Sequence, residues 1–186
     1  IDLSDDPRAN LAPGLFDAEI AILNMELVAS LKKPTGFFDP DNRLEKGLGD
    51  EEHDKTDEEE ESPIESSASD QRRPMLSFDN TDMAFSNDLL IAGSYHGFNI
   101  YRLGQDGIPN HITSVVCPGG QGDVSVVGNL LILSVQDTRG RLDCGLQGVS
   151  PEPSEERFRG LRIFDISNPL MPIQVGAVQT CRGSHT

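Results

Sequence analysis

The chain has 186 residues, 36% of them hydrophobic, with no Trp, two Tyr and a formal net charge of −16. That length holds one domain, or one domain plus an extended segment, and no run of eighteen apolar residues exists to form a membrane-spanning helix. Clustered cations are missing, which argues against nucleic acid as a partner, because phosphate binding needs a basic patch.

The charge is uneven. Residues 39–73 hold fourteen acids against five bases, whereas residues 74–186 hold eleven acids against seven bases, all Arg. The second balance is ordinary for a soluble domain. The start, Ile1 to Asp6, has neither the basic beginning nor the apolar run of a signal peptide and lacks an initiator Met. The last residues, Arg182 to Thr186, have turn-like composition. Both observations point to a piece of a longer protein.

Residues 1–17 carry Pro, Gly, Asn and Asp without periodicity and read as irregular. In residues 18–31, Ala, Glu, Leu and Met favour a helix. The alternation of Ile20, Ile22, Met25, Leu27 and Ala29 about Asn24 favours a strand, and strand is the expectation adopted. Lys32-Lys33-Pro34 ends it, so residues 1–34 form an N-terminal segment holding one outer strand. Residues 35–73 are acidic and then Ser-rich, with too little apolar surface to offset an ordering cost of about 1–2 kcal/mol per residue. They are expected to be a disordered acidic linker or insertion. A helix-loop-helix calcium site is disfavoured there, because Asp39 to Leu44 has no Gly at its sixth position.

From Pro74 the pattern is all-β. Asp82 to Phe85, Leu89 to Ser94, Gly97 to Tyr101 and Ile112 to Val116 read as strands separated by turns at Asn87-Asp88 and Gly104 to Gly107. A second series follows: Asp123 to Val126, Leu130 to Val135, Gly160 to Ile166 and Ile173 to Val178, with a turn at Gly128-Asn129. Asp82, Leu89, Leu90 and Ile91 recur as Asp123, Leu130, Leu131 and Ile132 at a constant offset of 41. Gly97, Ile100, Pro109 and Val115 recur as Gly160, Ile163, Pro172 and Val178 at a constant offset of 63. The difference is an insertion over residues 137–158. Without it the unit is about 41 residues with four strands, the size of a propeller blade. Two units are therefore expected, residues 81–121 and 122–186.

The stretch Leu161-Arg162-Ile163-Phe164-Asp165, followed by Ile166-Ser167-Asn168-Pro169, resembles the LVIVD repeat, matching Leu, Ile and Asp of its five signature positions. The earlier copy, Phe98 to Arg102, keeps the central Ile alone. The resemblance covers residues 81–186 and, more weakly, 18–34. It implies an incomplete β-propeller of about two four-stranded blades plus the N-terminal strand, from a bacterial or archaeal protein at the cell surface or secreted. Further blades of the same chain are expected, since two cannot close a propeller of four or more. The family brings no single activity.

In a four-strand blade the outer-to-inner crossovers and the second-to-third-strand loop emerge at the same end. The long connections, 35–73, 117–122, 137–158 and 181–185, are thus expected together, opposite the short turns. Long loops on a rigid scaffold are where binding concentrates. The same placement gathers Cys117, Cys144 and Cys181, which show no zinc spacing. Three thiols remain one reading. The other is a disulfide from Cys144, favouring Cys181 over Cys117, which implies an extracytoplasmic site.

Candidate ligand-binding residues are Asp82 and Asp123 at the starts of inner strands, His185, and the basic group Arg139, Arg141 and Arg182. The carboxylates and imidazole suit acid, base or metal chemistry, and the arginines suit a carboxylate or phosphate. Against these stand turn capping by each Asp and pairing of the arginines with Asp143 or Glu155. His96 and His111 read as surface or packing residues. No Gly-x-Ser-x-Gly elbow, phosphate loop or Asn-x-Ser/Thr acceptor occurs. No pattern assigns a cofactor, a metal or a catalytic residue. The expected function is a binding or protein-interaction scaffold, with a propeller hydrolase or metal-dependent enzyme as the alternative.

Overall fold

The structure is a computed structural model that describes residues 6–14, 17–37, 79–150 and 152–185. The chain divides into two compact units, Ile1–Leu31 and Lys32–Thr186. The acidic residues 38–73 lie outside the described residues, and the expectation for them is not taken further.

The N-terminal unit contains a turn over residues 7–10, where Arg8 pairs with Asp6 at 2.6 Å. The strand expected over residues 18–31 is not formed. Asn24 adopts φ 58°, a left-handed conformation that interrupts an extended run. Among the described residues no second strand supplies the ladder hydrogen bonds that a strand needs. Leu23 and Met25 are consequently exposed.

The second unit is all-β, with no helix among the described residues. Its strands are β1 (Asn80–Ser86), β2 (Leu89–Ser94), β3 (Gly97–Leu103), β4 (Pro109–Val116), β5 (Val124–Val127), β6 (Leu130–Val135), β7 (Gly160–Asp165) and β8 (Ile173–Gln179). They form two antiparallel four-stranded sheets, β1-β2-β3-β4 and β5-β6-β7-β8. Every strand read from the sequence in residues 74–186 is present. Local chemistry explains why. β-Branched and aromatic residues fill the strands, and Asn87 (φ 53°) and Gly128 (φ 60°) take the left-handed conformation that two-residue hairpins require.

The offsets of 41 and 63 hold through the hydrogen-bond ladders. Leu89 faces Arg102 as Leu130 faces Asp165, and Gly97 faces Val116 as Gly160 faces Gln179. A register shift after Ile100 recurs after Ile163. Gly97 and Gly160 share φ values of 138° and 149°, and a Cβ at either would lie 2.0 Å from a carbonyl of the adjacent strand. Only glycine fits both places.

The sheets meet along β1, β2 and β5. Ile91, Phe98 and Ile100 of the first sheet pack against Leu131, Leu133 and Phe164 of the second, with Phe98 and Phe164 edge to face at 5.1 Å. Toward the outer strands the intervening space is filled by the connection over residues 136–159. Its Leu142 carbonyl accepts a hydrogen bond from Gln174 of β8 at 3.1 Å, and Val149 and Phe158 are buried. Ahead of the strands, Pro34 to Phe37 makes a turn that buries Phe37 edge to face on His96, ring centroids 4.9 Å apart. Residues 35–37 therefore pack with the strands, and the expectation that a disordered linker begins at residue 35 is corrected for these three residues.

Candidate functional site

Antiparallel order places the β4–β5 crossover, the β6–β7 connection and the segment after β8 at one end of the sheets, and hydrogen bonds join all three. The Gln136 and Asp137 amides donate to the Gly119 carbonyl at 2.9 Å. The Ser184 amide donates to Val135 O at 3.0 Å, and His185 Nδ1 lies 2.8 Å from Gln136 Oε1. Arg159 reaches from the start of β7 to the carbonyls of Gln136 and Arg182. At the opposite end the strands are joined by tight turns, residues 87–88 and 128–129, and by the short connections 104–108 and 166–172.

One side chain organises this loop-rich end, and nothing in its sequence context signals that role. Arg162, in the middle of β7, is fully buried without a carboxylate partner. Its Nη1 donates to Cys117 O and Pro118 O at 3.1 Å each; its Nη2 donates to Pro118 O at 3.0 Å and to Arg141 O. Nε has no partner. The Phe158 ring lies 5.9 Å from the guanidinium carbon. Burial lowers its pKa to about 10, opposed by the negative charge of Asp143, so it stays a cation at neutral pH. Carbonyl dipoles thus replace the lost hydration of the charge. The equivalent residue of the first sheet, Asn99, accepts a hydrogen bond from Ser114 Oγ within its own sheet.

Cys144 forms its disulfide with Cys117, and Cys181 is a free, exposed thiol. A disulfide from Cys144 was expected, but the preference for Cys181 is corrected. Arg162 explains the pairing. Its guanidinium holds Cys117 O and Arg141 O together, which brings the arm carrying Cys144 against the end of β4. Cys181 instead leaves β8 on the segment that returns to Val135 and Gln136.

The remaining candidates separate into two groups. Asp123 sits at the start of β5, where its amide donates to Ser134 Oγ at 2.9 Å and Ser134 Oγ donates to His185 O at 3.1 Å. Burial raises the Asp123 pKa, the charge of Asp82 adds to the rise, and His185 opposes it. Asp82, Asp123 and His185 are therefore electrostatic neighbours. Asp82 Oδ1 also accepts from the Met83 amide at 2.7 Å, the capping role weighed against chemistry. Among the described residues no three His, Cys, Asp or Glu side chains converge to hold a metal ion.

The three arginines do not form one basic group. Arg141 pairs with Asp143 at 2.7 Å and with Glu156, not Glu155. Those two carboxylates raise its pKa, and Arg141 in turn lowers that of Asp143 to about 2. Arg139 donates to the Gln147 carbonyl at 2.9 Å, whereas Arg182 is exposed on the segment after β8. Arg141, Asp143, Glu156, Phe158 and Gln179 line an open groove of about 530 Å³ between the connection and β8. His96 is buried and His111 is exposed, its Nε2 2.9 Å from Ser114 Oγ. No helix of the described residues is long and apolar enough to cross a membrane. Comparison with family models, curated proteins and solved structures finds no match.

Proposed function

We propose that the two sheets are consecutive blades of an LVIVD-type β-propeller and that the chain is an extracytoplasmic binding or protein-interaction scaffold, working through its loop-rich end. One observation carries this reading. The connections 117–123, 136–159 and 180–185 are fastened to one another at a single end, and among the described residues 136–159 is longer than any connection at the opposite end. A rigid frame presenting long, ordered loops is how binding surfaces are built. The Cys117–Cys144 disulfide supports an oxidising compartment.

A fragment screen read by amide chemical shifts tests the location. Hits should cluster on residues 117–123, 136–159 and 180–185. A cluster on the turns at residues 87–88 and 128–129, or no cluster, would overturn the reading.

A hydrolytic role has one observation in its favour, the raised Asp123 carboxyl beside Asp82 and His185. A carboxyl of raised pKa next to an imidazole suits acid–base work. A panel of chromogenic esters, glycosides and phosphoesters, run with Asp123→Asn as control, decides it. Turnover that Asp123→Asn abolishes supports an enzyme, and turnover unchanged by that substitution removes the site.

A further inference from the structure

The packing of two equivalent sheets has a consequence for their free faces. The first sheet meets the second through Ile91, Phe98 and Ile100. At offsets of 41 and 63 these positions are Ile132, Leu161 and Ile163, and the ladders place them on the face of β5–β8 turned away from β1–β4. Conversely, the second sheet meets the first through Leu131, Leu133 and Phe164, whose counterparts Leu90, Ala92 and Tyr101 lie on the outer face of β1–β4. The contact is heterologous, since each sheet uses a different face. The described residues therefore carry both halves of an interface that they use once internally, and one copy of each half is left over among them. On the outer face of β5–β8, Val127 is 67% exposed and Ile173 60%; on that of β1–β4, Met83 is 62% and Phe85 63%.

We infer that copies of this chain associate head to tail, the outer face of β5–β8 in one copy seating against the outer face of β1–β4 in the next. A heterologous contact builds a ring where the rotation closes and a filament where it does not. Only the ring rests on the propeller reading. With two sheets per copy, two to four copies complete a propeller of about four to eight blades. The net charge of −16 opposes association, so the measurement belongs at physiological salt, where that repulsion is screened.

Sedimentation of the 20.2 kDa chain over a wide concentration range should show a discrete species of two, three or four copies, or growing polymers. The double substitutions Val127→Lys/Ile173→Lys and Met83→Glu/Phe85→Glu each block one face at exposed positions, and circular dichroism checks that both variants stay folded. Each should sediment as a monomer, and mixing the two should give a one-to-one pair through the faces left intact. A wild-type monomer at every concentration overturns the inference, as does undiminished association of either variant or a mixture that fails to pair. Electron microscopy separates the two claims. Open filaments uphold head-to-tail association and refute the propeller, whereas closed rings uphold both.

Discussion

Replacing Arg162 with Met keeps a long apolar stem and removes the guanidinium on which the loop-rich end is assembled. Three carbonyls, the buried ones of Cys117 and Pro118 and the part-buried one of Arg141, lose their donors. Each unsatisfied buried carbonyl costs about 1–3 kcal/mol. Relief from burying an unpaired cation acts the other way and is worth several kcal/mol. The lowered pKa of Arg162 is the signature of that burial cost. We expect the deficit to exceed the relief, with a net loss of about 2–4 kcal/mol on this balance of unsatisfied carbonyls and desolvation.

Urea unfolding at neutral pH, with the disulfide intact, measures the loss. Arg162→Lys is the control. Its ammonium keeps the charge but cannot fork across three carbonyls, so it should recover less than half of the loss. Hydrogen exchange localises the effect, because the Gln136 and Asp137 amides bond the crossover at Gly119 O and should exchange faster in the Met variant. Unchanged stability in Arg162→Met, or full rescue by Lys, would refute the idea that the guanidinium fork holds these connections together.

The Cys117–Cys144 bridge joins residues 27 apart, and its reduction should cost about 3–4 kcal/mol by the loop-entropy estimate. Cys181→Ser should leave the denaturation midpoint unchanged, and thiol titration of the native chain should count one reactive group. Cys144→Ser combined with Arg162→Met should cost less than the sum of the single changes, with a coupling of about 0.5–3 kcal/mol, since both act on the same arm; additivity would show independent roles. Phe37→Ala should cost about 3–5 kcal/mol for a buried Phe, and a loss under 1 kcal/mol would return residues 35–37 to the linker. Burial lowers the His96 pKa below its ordinary 6.5, against a hydrogen bond with Gly36 that raises it. The folded state thus binds fewer protons than the unfolded state between the lowered value and 6.5, so stability is full above that window and falls as pH drops through it. His96→Gln should flatten this pH dependence, and an unchanged slope would assign it to other groups.

The strands were legible because their determinants are local. Alternation along Gly97 to Tyr101, the apolar runs of β2 and β6, and the Asn and Gly residues at two hairpin turns each act within a few residues. The repeat was legible because two sheets with one register need the same residue types in the same order, down to Gly97 and Gly160. The failures share the opposite property. Residues 18–31 have strand composition, yet a strand exists only with a partner, and alternation does not report one. Phe37 stands apart from the strands in sequence, and its partner His96 is far along the chain. Cys144 had a candidate thiol on either side of it in the chain, and the choice rested on where Arg162 points.

Arg162 also shows how the two sheets differ. At the equivalent position Asn99 meets Ser114 inside its own sheet, a bond that needs no added chain. An arginine there reaches beyond the sheet, and one of its acceptors, Arg141 O, exists only because residues 137–158 are inserted. The same inserted residues supply Cys144 to the bridge and Phe158 to the guanidinium face. Cation, insertion and disulfide thus form one dependent set. An arginine without the insertion would be buried with one acceptor fewer, and the insertion without the arginine would lose one of its polar anchors. Such a set keeps a long loop ordered at the end where the other connections gather. Among the described residues it gives the second sheet an ordered surface without a counterpart on the first.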